Sequence, residues 1–188
     1  MSTASAPMSD LRRLAPALVV LVVYALLMLA AGLYAFTQAV PGRGTTAIMV
    51  PGAAAGLTLL AAGLIVVLRG KAKKIIAHAA MALPILFGAL FAMPASGRTT
   101  ALENYKKELP IYEALAAEGK APTDAEGKRA YFRERKASDH DISYLVRTLW
   151  FLVGLSALAL VALFLTRPKP APAPAAESGA GPGARPGV

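Results

Sequence analysis

The feature that most constrains this fold is a pair of long apolar runs joined by a short basic turn, between Val50 and Met93. Each run has about twenty residues, the length at which an α-helix crosses the roughly 30 Å hydrocarbon core of a bilayer. Lipid offers the backbone no hydrogen-bond partners, so a spanning segment must satisfy its own amide groups. The sequence therefore predicts a transmembrane helical hairpin, with its first helix at 51–68 and its second at 75–93.

Two further apolar runs extend this pattern to four membrane helices. The first covers about 14–36, after a short polar segment at 1–13, and the last covers about 145–165. A basic segment before an apolar run is also typical of a signal peptide, but signal peptides carry a shorter run of about 7–15 apolar residues. We therefore expect a retained first helix, with Pro16 in its first turn, where its missing N–H costs nothing.

The region between the third and fourth membrane helices has a different composition. Residues 94–141 contain nine acidic and nine basic residues, whereas no Asp or Glu lies between Asp10 and Glu103. Apolar residues at alternating spacings of three and four fit one helix face, which Pro110 interrupts. We expect two short helices here, the second starting at Pro110 and closed by Gly119.

A further helix is predicted in the same region. Residues 123–126 form a capping-box pattern, so this helix should run from there to about Ala137. The aromatic pair Tyr131 and Phe132 lies beside basic residues, a pattern that fits either a solvated helix or one docked in the headgroup layer. Residues 138–141 then place carboxylates at the start of the fourth membrane helix, where they favour the helix dipole.

Together these regions predict an all-α integral membrane protein with four transmembrane helices and a helical extramembrane segment. The last 22 residues include six prolines, which is typical of a disordered or polyproline-like tail. The expected organisation is an N-terminal tail at 1–13, three membrane helices within 14–93, the charged helical segment at 94–141, the fourth membrane helix at 142–166 and the tail at 167–188.

The turn of the central hairpin carries the clearest orientation signal. Four of its six residues are basic, namely Arg69, Lys71, Lys73 and Lys74. Short loops rich in Lys and Arg face the cytoplasm, so we expect this turn and both termini to be cytoplasmic, with 94–141 outside. The net charge of +9 lies mostly beside apolar runs, which fits contact with membrane lipid and not nucleic acid. The Ala-, Pro- and Arg-rich composition is typical of a high-GC bacterium and predicts the inner (cell) membrane.

Small residues recur on one side of each hairpin helix. Small side chains let membrane helices approach closely, so both sets predict helix-packing faces that contact each other. Composition alone, or a ligand groove, would also account for the glycines of the first helix. Pro84 should kink the second helix, because it removes a backbone hydrogen bond. The predicted packing residues are Gly52, Gly56 and Gly63 on the first helix, and Ala80, Pro84 and Gly88 on the second.

Histidines and carboxylates are the groups that point to chemistry, and they are few. His78 is a candidate proton relay or haem ligand. Its only histidine partner, His140, is expected at the opposite membrane face, so a hydrogen bond to backbone or headgroups is the expected role. Asp139, His140 and Asp141 are consecutive, so they fit helix capping better than a metal site.

The residues and motifs that are absent from the sequence limit the possible functions. No acidic residue lies in the four apolar runs, which disfavours ion-coupled transport. The chain has no cysteine, and no phosphate-binding, zinc-hydrolase or serine-hydrolase motif is present. We therefore expect no enzyme activity, no metal and no cofactor.

One part of the chain resembles a known family. The VPGAAAGL sequence at Val50–Leu57, with the glycine-rich helix that follows it, is similar to a segment of TMEM14-type small helical membrane proteins. The AGLY sequence at 31–34 and the FAMPA sequence at 91–95 are similar as well. The resemblance covers roughly 20–95, and implies an all-helical fold associated with moving fatty acids or porphyrin intermediates across organelle membranes. The charged segment at 98–141 has no counterpart there, and no functional residue carries over.

Three functions are compatible with these features. The leading expectation is a non-catalytic structural or partner-binding membrane subunit that uses residues 98–141 as its recognition surface. The first alternative is a carrier of an apolar small molecule, such as a lipid, fatty acid or porphyrin-like compound. Its ligand would lie along the Pro84 kink and the Gly52–Gly63 face. The second alternative is a redox or haem protein that uses His78.

Overall fold

The computed structural model describes residues 6–39 and 45–166, with only the backbone described at 6–13, 45 and 46. Four helices in this part of the chain are long and apolar enough to cross a membrane, and no strand occurs in it. The prediction of an all-α fold with four such helices is therefore confirmed. The predicted tail at 167–188 and the turn residues 40–44 lie outside the described residues. The helices are α1 (Ala6–Gln38), α2 (Thr45–Val67), α3 (Gly70–Ala117), α4 (Ala125–Glu134) and α5 (Ser143–Leu165).

The four apolar helices α1, α2, α3 and α5 form an up-and-down bundle. One buried cluster joins the early parts of α1 and α3 to the ends of α2 and α5, through Leu21, Ala80, Ile65 and Leu163. A second cluster joins the later part of α1 and of the apolar stretch of α3 to the first half of α2 and the middle of α5. Neighbouring helices therefore run antiparallel. We call the end of the bundle that holds the α2–α3 connection the turn end, and the opposite end the segment end.

Prolines lie inside the helices, contrary to the prediction that Pro16 and Pro51 mark helix starts. α1 already begins at Ala6 and α2 at Thr45, so both prolines are preceded by helical residues. Pro51 is buried against α1, where a Cβ added at Gly32 would lie only 3.1 Å from the proline Cβ. A glycine facing the ring makes room for it, so packing offsets the lost hydrogen bond.

The central hairpin has a shorter connection than predicted. α2 ends at Val67 and α3 begins at Gly70, whose φ of +62° suits a glycine. Lys71, Lys73 and Lys74 therefore lie on the first turns of α3 and not in a loop, and the predicted start at Ile75 is too late. The basic residues still lie together at the turn end of the bundle.

Helix α3 is much longer than the predicted membrane helix. It runs for 48 residues through Pro84, Pro94 and Pro110, so the prediction of separate short helices on both sides of Pro110 is wrong. At 1.5 Å per residue, such a helix extends about 72 Å, well beyond the thickness of a bilayer. Contacts on both sides of each proline hold the helix together, such as those of Leu102 with Ile142 and Val146. The kink at Pro84 stays a prediction.

The part of α3 beyond the bundle packs with α4 into a small extramembrane unit, which we define as residues 98–141. Gly119, with a φ of +70°, ends α3 as predicted. The N-cap of α4 is Asp124, whose carboxylate accepts a hydrogen bond from the Gly127 amide at 3.0 Å, and not Thr123. α4 ends at Glu134, earlier than predicted.

An aromatic cluster forms the core of the extramembrane unit. The Phe132 side chain is fully buried, with its ring centroid 5.3–5.4 Å from those of Tyr105, Tyr112 and Tyr131. The Tyr112 hydroxyl donates a hydrogen bond to the Pro122 carbonyl at 2.7 Å, which anchors the α3–α4 connection. Phe132 therefore packs inside the protein and not in the predicted headgroup layer. The basic residues beside it are exposed, namely Arg133, Arg135 and Lys136.

Candidate functional site

A hydrogen-bonded pair of polar side chains joins two helices in the described part of the bundle interior. The Ser156 hydroxyl donates to the Leu152 carbonyl at 2.8 Å, so the Tyr24 hydroxyl is the donor in its 2.7 Å bond to Ser156. Both side chains are almost completely buried. This hydrogen bond links α1 to α5 near the middle of the bundle, and both hydroxyls have a partner.

The other buried polar groups of the described chain are also satisfied. Thr58 and Thr148 each donate to the carbonyl four residues earlier, at 2.8 and 2.9 Å. Within residues 14–39 and 47–166, no buried side-chain nitrogen or oxygen lacks a hydrogen-bond partner. No group of three or more His, Cys, Asp or Glu side chains in the described part is placed to hold a metal ion. The interior therefore supports helix packing and presents no polar cradle for a ligand.

The predicted packing glycines of α2 do not face the other helices. Gly56 and Gly63 are exposed, and a Cβ added at Gly52, Gly56 or Gly63 would meet nothing within 4 Å. The prediction that this face packs on α3 is wrong for the single chain. The buried face of α2 carries alanines and larger side chains at the same helical spacing, namely Ala54, Ala55, Thr58, Ala62 and Ile65. That second series was visible in the sequence, and burying it removes more apolar surface than burying glycines does.

The small-residue face of α3 is buried at Ala80 and Pro84 and half-buried at Gly88, and it contacts a second helix besides the one predicted. Ala80 packs with Ala62 and Ile65 of α2, in agreement with the expectation. Further along, a Cβ added at Gly88 would lie 3.3 Å from the Ser156 Cβ of α5. Pro84 lies between them and is buried. Because α3 and α5 approach at Gly88, the stripe is a packing face for two helices.

The two histidines lie at opposite ends of the bundle. His78 is exposed on α3 near the turn end, and its Nδ1 lies 2.6 Å from the Lys74 carbonyl. His140 precedes α5 at the segment end, and its Nδ1 lies 2.6 Å from the Asp139 carboxylate. A backbone hydrogen bond at His78 is the role expected from the sequence, and the two rings are too far apart to share one haem.

A large cleft lies at the segment end, between α3, α4 and the residues that lead into α5. Its volume is about 800 Å³. Basic side chains line one part of it, and apolar side chains such as Pro94 and Leu145 line another. The basic residues are Arg98 of α3, Arg129 and Arg133 of α4, and Lys136 just beyond α4.

Local backbone features bring the cleft residues together. Lys136 has a φ of +52°, which reverses the chain after α4. The Asn104 side-chain amide lies 3.3 Å from the carbonyls of Arg135 and Lys136, so α3 caps the end of α4. The Ser138 amide donates to the Ala101 carbonyl at 3.1 Å. These bonds hold the turn after α4 against α3 and so define the wall of the cleft.

The cleft carries an excess of positive charge. Asp139 lies 3.6 Å from Arg129 and 2.6 Å from His140, so its carboxylate is already shared. Among the described residues, no ion pair includes Arg98, Arg133 or Lys136. The sequence pattern did not reveal this site, because the four basic residues are spread over almost forty positions with acidic residues between them.

Asp141 stabilises the start of α5 beside the cleft. Its carboxylate accepts a hydrogen bond from the Ser143 amide at 2.7 Å, as expected for a carboxylate at a helix start. Hydrogen bonding to Ser143, and to a lesser degree the charges of Lys106 and Arg147, lower the pKa of Asp141 below 3.8. Asp141 therefore stabilises the start of α5 from the position before the N-cap, which is Ile142 and not a residue of the predicted tripeptide.

A second, apolar groove lies on the outer surface of the bundle between α1 and α5. Its volume is about 370 Å³, and Leu27, Ala30, Tyr34 and Phe151 line it. Arg147 lies at its segment end. This groove differs from the predicted ligand site along Pro84 and the α2 glycines, because Pro84 is buried and the glycines face outwards.

Comparisons with known proteins return nothing for this chain. No family model matches it, and searches of curated proteins and of solved structures find no match. The resemblance to the TMEM14-type family therefore stays a prediction from the sequence.

Proposed function

We propose that this protein is a non-catalytic, multi-pass membrane subunit that recognises a protein partner through its extramembrane unit. One observation carries the proposal: the unit has its own aromatic core around the fully buried Phe132, while every buried polar side chain in the described bundle is satisfied. The unit is thus presented beyond the membrane by a bundle whose buried polar side chains, among the described residues, are engaged with one another or with the backbone. Such an arrangement suits recognition better than catalysis.

The outer face of α3 offers an apolar contact point within the unit. The Ile111 side chain is 51% exposed, and it lies on the side of α3 away from the aromatic cluster. Pro110 and Ala114 beside it are exposed too. Apolar side chains at the centre of a surface patch contribute most to protein–protein affinity, so this face is the proposed contact surface.

Chemical crosslinking in native membranes, followed by purification in mild detergent, tests this proposal. We expect the wild-type chain to co-purify with a partner, and Ile111→Glu to lose most of it. Lys120→Glu is the matched control, because Lys120 is exposed on the same unit and away from Ile111. Recovery of this chain alone, or equal recovery of the partner by both variants, contradicts the proposal.

We further propose that the protein lies in a bacterial inner membrane with both termini and the turn end in the cytoplasm. Lys71, Lys73 and Lys74 at the turn end support this orientation. The chain has no cysteine, so Lys71→Cys and Glu118→Cys each create a single reactive site. A membrane-impermeant thiol reagent added to intact spheroplasts should label only the second variant. Labelling of the first variant alone would reverse the proposed orientation.

The groove between α1 and α5 favours a second candidate, a carrier of an apolar small molecule such as a lipid or fatty acid. Its apolar walls suit an acyl chain, and Arg147 at one end suits a carboxylate or phosphate. Ala30→Phe should fill the groove and reduce the fatty acid that co-purifies, as measured by mass spectrometry. Ala53→Phe, an exposed change on α2, should not. Equal fatty acid in both variants would exclude this groove as a carrier site.

A further inference from the structure

We infer that the basic cleft at the segment end binds the phosphate of an anionic phospholipid. The cleft joins cationic side chains from α3, α4 and the turn after α4 to an apolar wall. This inference concerns a lipid ligand and is separate from the proposed protein partner. It depends on where the cleft lies, on its charge, and on the chemistry of its two walls.

The cleft lies at the segment end of the four apolar helices, which is where headgroups surround a bundle that spans a membrane. Pro94 follows directly after the apolar run of α3, and Leu145 lies in the first turn of α5. The Trp150 indole N–H donates to the Thr99 hydroxyl at 3.1 Å, so a tryptophan lies at the same level. Tryptophan is enriched at the boundary between hydrocarbon and headgroups. A ligand in this cleft would therefore meet the membrane and water at once.

The charge of the cleft suits a phosphate. Arg98, Arg133 and Lys136 make no ion pair among the described residues, and the one carboxylate of the cleft, Asp139, is shared with Arg129 and His140. Cations that line a common cleft repel one another, and an anion between them relieves that repulsion. Guanidinium groups donate two parallel hydrogen bonds to phosphate oxygens, so arginine suits this ligand better than a simple point charge does.

The apolar wall selects a lipid over a small soluble anion. Pro94, which is exposed, and Leu145, which is half-buried, line the side of the cleft that belongs to the bundle. A free phosphate ion would gain nothing from these side chains. The glycerol and the upper part of the acyl chains of a phospholipid would cover them, and the acyl chains would continue along the outer surface of the bundle.

Native mass spectrometry of the full chain tests this inference. The purified protein is released from detergent after equilibration with phosphatidylglycerol or with phosphatidylcholine. We expect retention of phosphatidylglycerol in preference to phosphatidylcholine. The triple variant R98Q/R133Q/K136Q should retain at least about tenfold less phosphatidylglycerol, because each charge-assisted hydrogen bond is worth more than a factor of ten in binding.

The matched control is K106Q/K107Q/K120Q, which removes the same charge from exposed residues of the same unit outside the cleft. It should retain phosphatidylglycerol like the wild type. Equal losses in both triple variants, or no loss in the cleft variant, overturn the inference. Because the substituted side chains are exposed, both variants should elute like wild type in gel filtration. The salt dependence of phosphatidylglycerol retention by the unmodified protein gives an independent readout. Retention should fall as the salt concentration rises, and retention that does not change with salt contradicts a phosphate site.

Inorganic phosphate and glycerol 3-phosphate distinguish a lipid site from a site for a free anion. If the lipid is the ligand, an excess of either anion should displace little phosphatidylglycerol, since neither covers the apolar wall. Full displacement by inorganic phosphate would assign the cleft to a soluble phosphate compound and overturn the lipid assignment.

Discussion

At the scale of single residues, only some of the glycines contact a neighbouring helix closely. The glycines that form a GxxxG pattern, Gly52 and Gly56, lie on the outside of α2, whereas Gly32 and Gly88 meet neighbouring helices closely. A spacing pattern identifies which residues share a face, but it does not say which face is buried. Which face is buried depends on contacts with the other helices, because α2 carries small residues on more than one face.

Alanine substitutions should separate these two classes of glycine. Gly32→Ala and Gly88→Ala each place a Cβ 3.1–3.3 Å from a neighbouring side chain, so the helices must shift slightly and thermal stability in detergent should fall. Gly56→Ala and Gly63→Ala meet nothing within 4 Å and should leave the melting temperature unchanged or slightly raised. A greater loss for Gly56→Ala than for Gly88→Ala would show that the outer face of α2 packs on another molecule.

The carboxylate of Asp141 should make the start of α5 sensitive to acid. Its hydrogen bonds in the folded state lower its pKa below 3.8, so the stability it contributes is present above that pH and is lost as the pH falls through the folded pKa. Because the side chain is exposed and Asn keeps an acceptor oxygen, only the charge is lost, and we expect Asp141→Asn to cost about 0.3–1 kcal/mol at neutral pH. The difference between wild type and variant should disappear in acid, as measured by exchange of the Ser143 amide. A difference that persists there would exclude charge as its source.

At the scale of helices, α3 is one continuous helix whose two halves differ in composition and have different surroundings. Its first half is apolar and belongs to the bundle, and its second half is charged and packs on α4. Three prolines fail to divide it, because each removes only one backbone donor, while the neighbouring side chains remain packed on both sides. Motion of the extramembrane unit is therefore tied directly to a membrane helix.

Removing the cap of α4 should loosen the extramembrane unit alone. Asp124→Ala takes away the acceptor for the Gly127 amide, and a lost N-cap costs about 1 kcal/mol. Hydrogen exchange should become faster in α4 while the amides of α1 and α2 keep their protection. Thr123→Ala is the control, because Thr123 is exposed, uncharged and not the N-cap residue. Equal exchange in both variants would show that the cap contributes nothing.

At the scale of the whole molecule, two cores share one helix. The bundle core is built from alanines, leucines and phenylalanines, and the core of the extramembrane unit from aromatic rings around Phe132. The basic cleft lies where the two meet, at the segment end of the apolar helices. The basic cleft and the extramembrane unit therefore both lie at the segment end.

A cavity at Phe132 should unfold the unit without unfolding the bundle. Phe132→Ala removes a fully buried ring, a change that costs about 3–5 kcal/mol in a packed core. Limited proteolysis should then cut between Leu102 and Ala137, while the four apolar helices remain protected in detergent. Ile111→Ala, an exposed change on the same helix, should leave the protease pattern unaltered. Loss of both cores together would show that they fold as one cooperative unit.

The sequence by itself determined the class of this protein. Four apolar runs of membrane length, the charged region between the last two, the C-terminal ends of α3 and α5 and the carboxylate at the start of α5 all follow from local composition and backbone chemistry. Only the tertiary structure decided that α3 is continuous through Pro94 and Pro110, and that α2 buries its alanines and not its glycines. It also brought Arg98, Arg133 and Lys136 to one cleft. These outcomes depend on contacts between residues far apart in the chain, which periodicity within one segment does not encode.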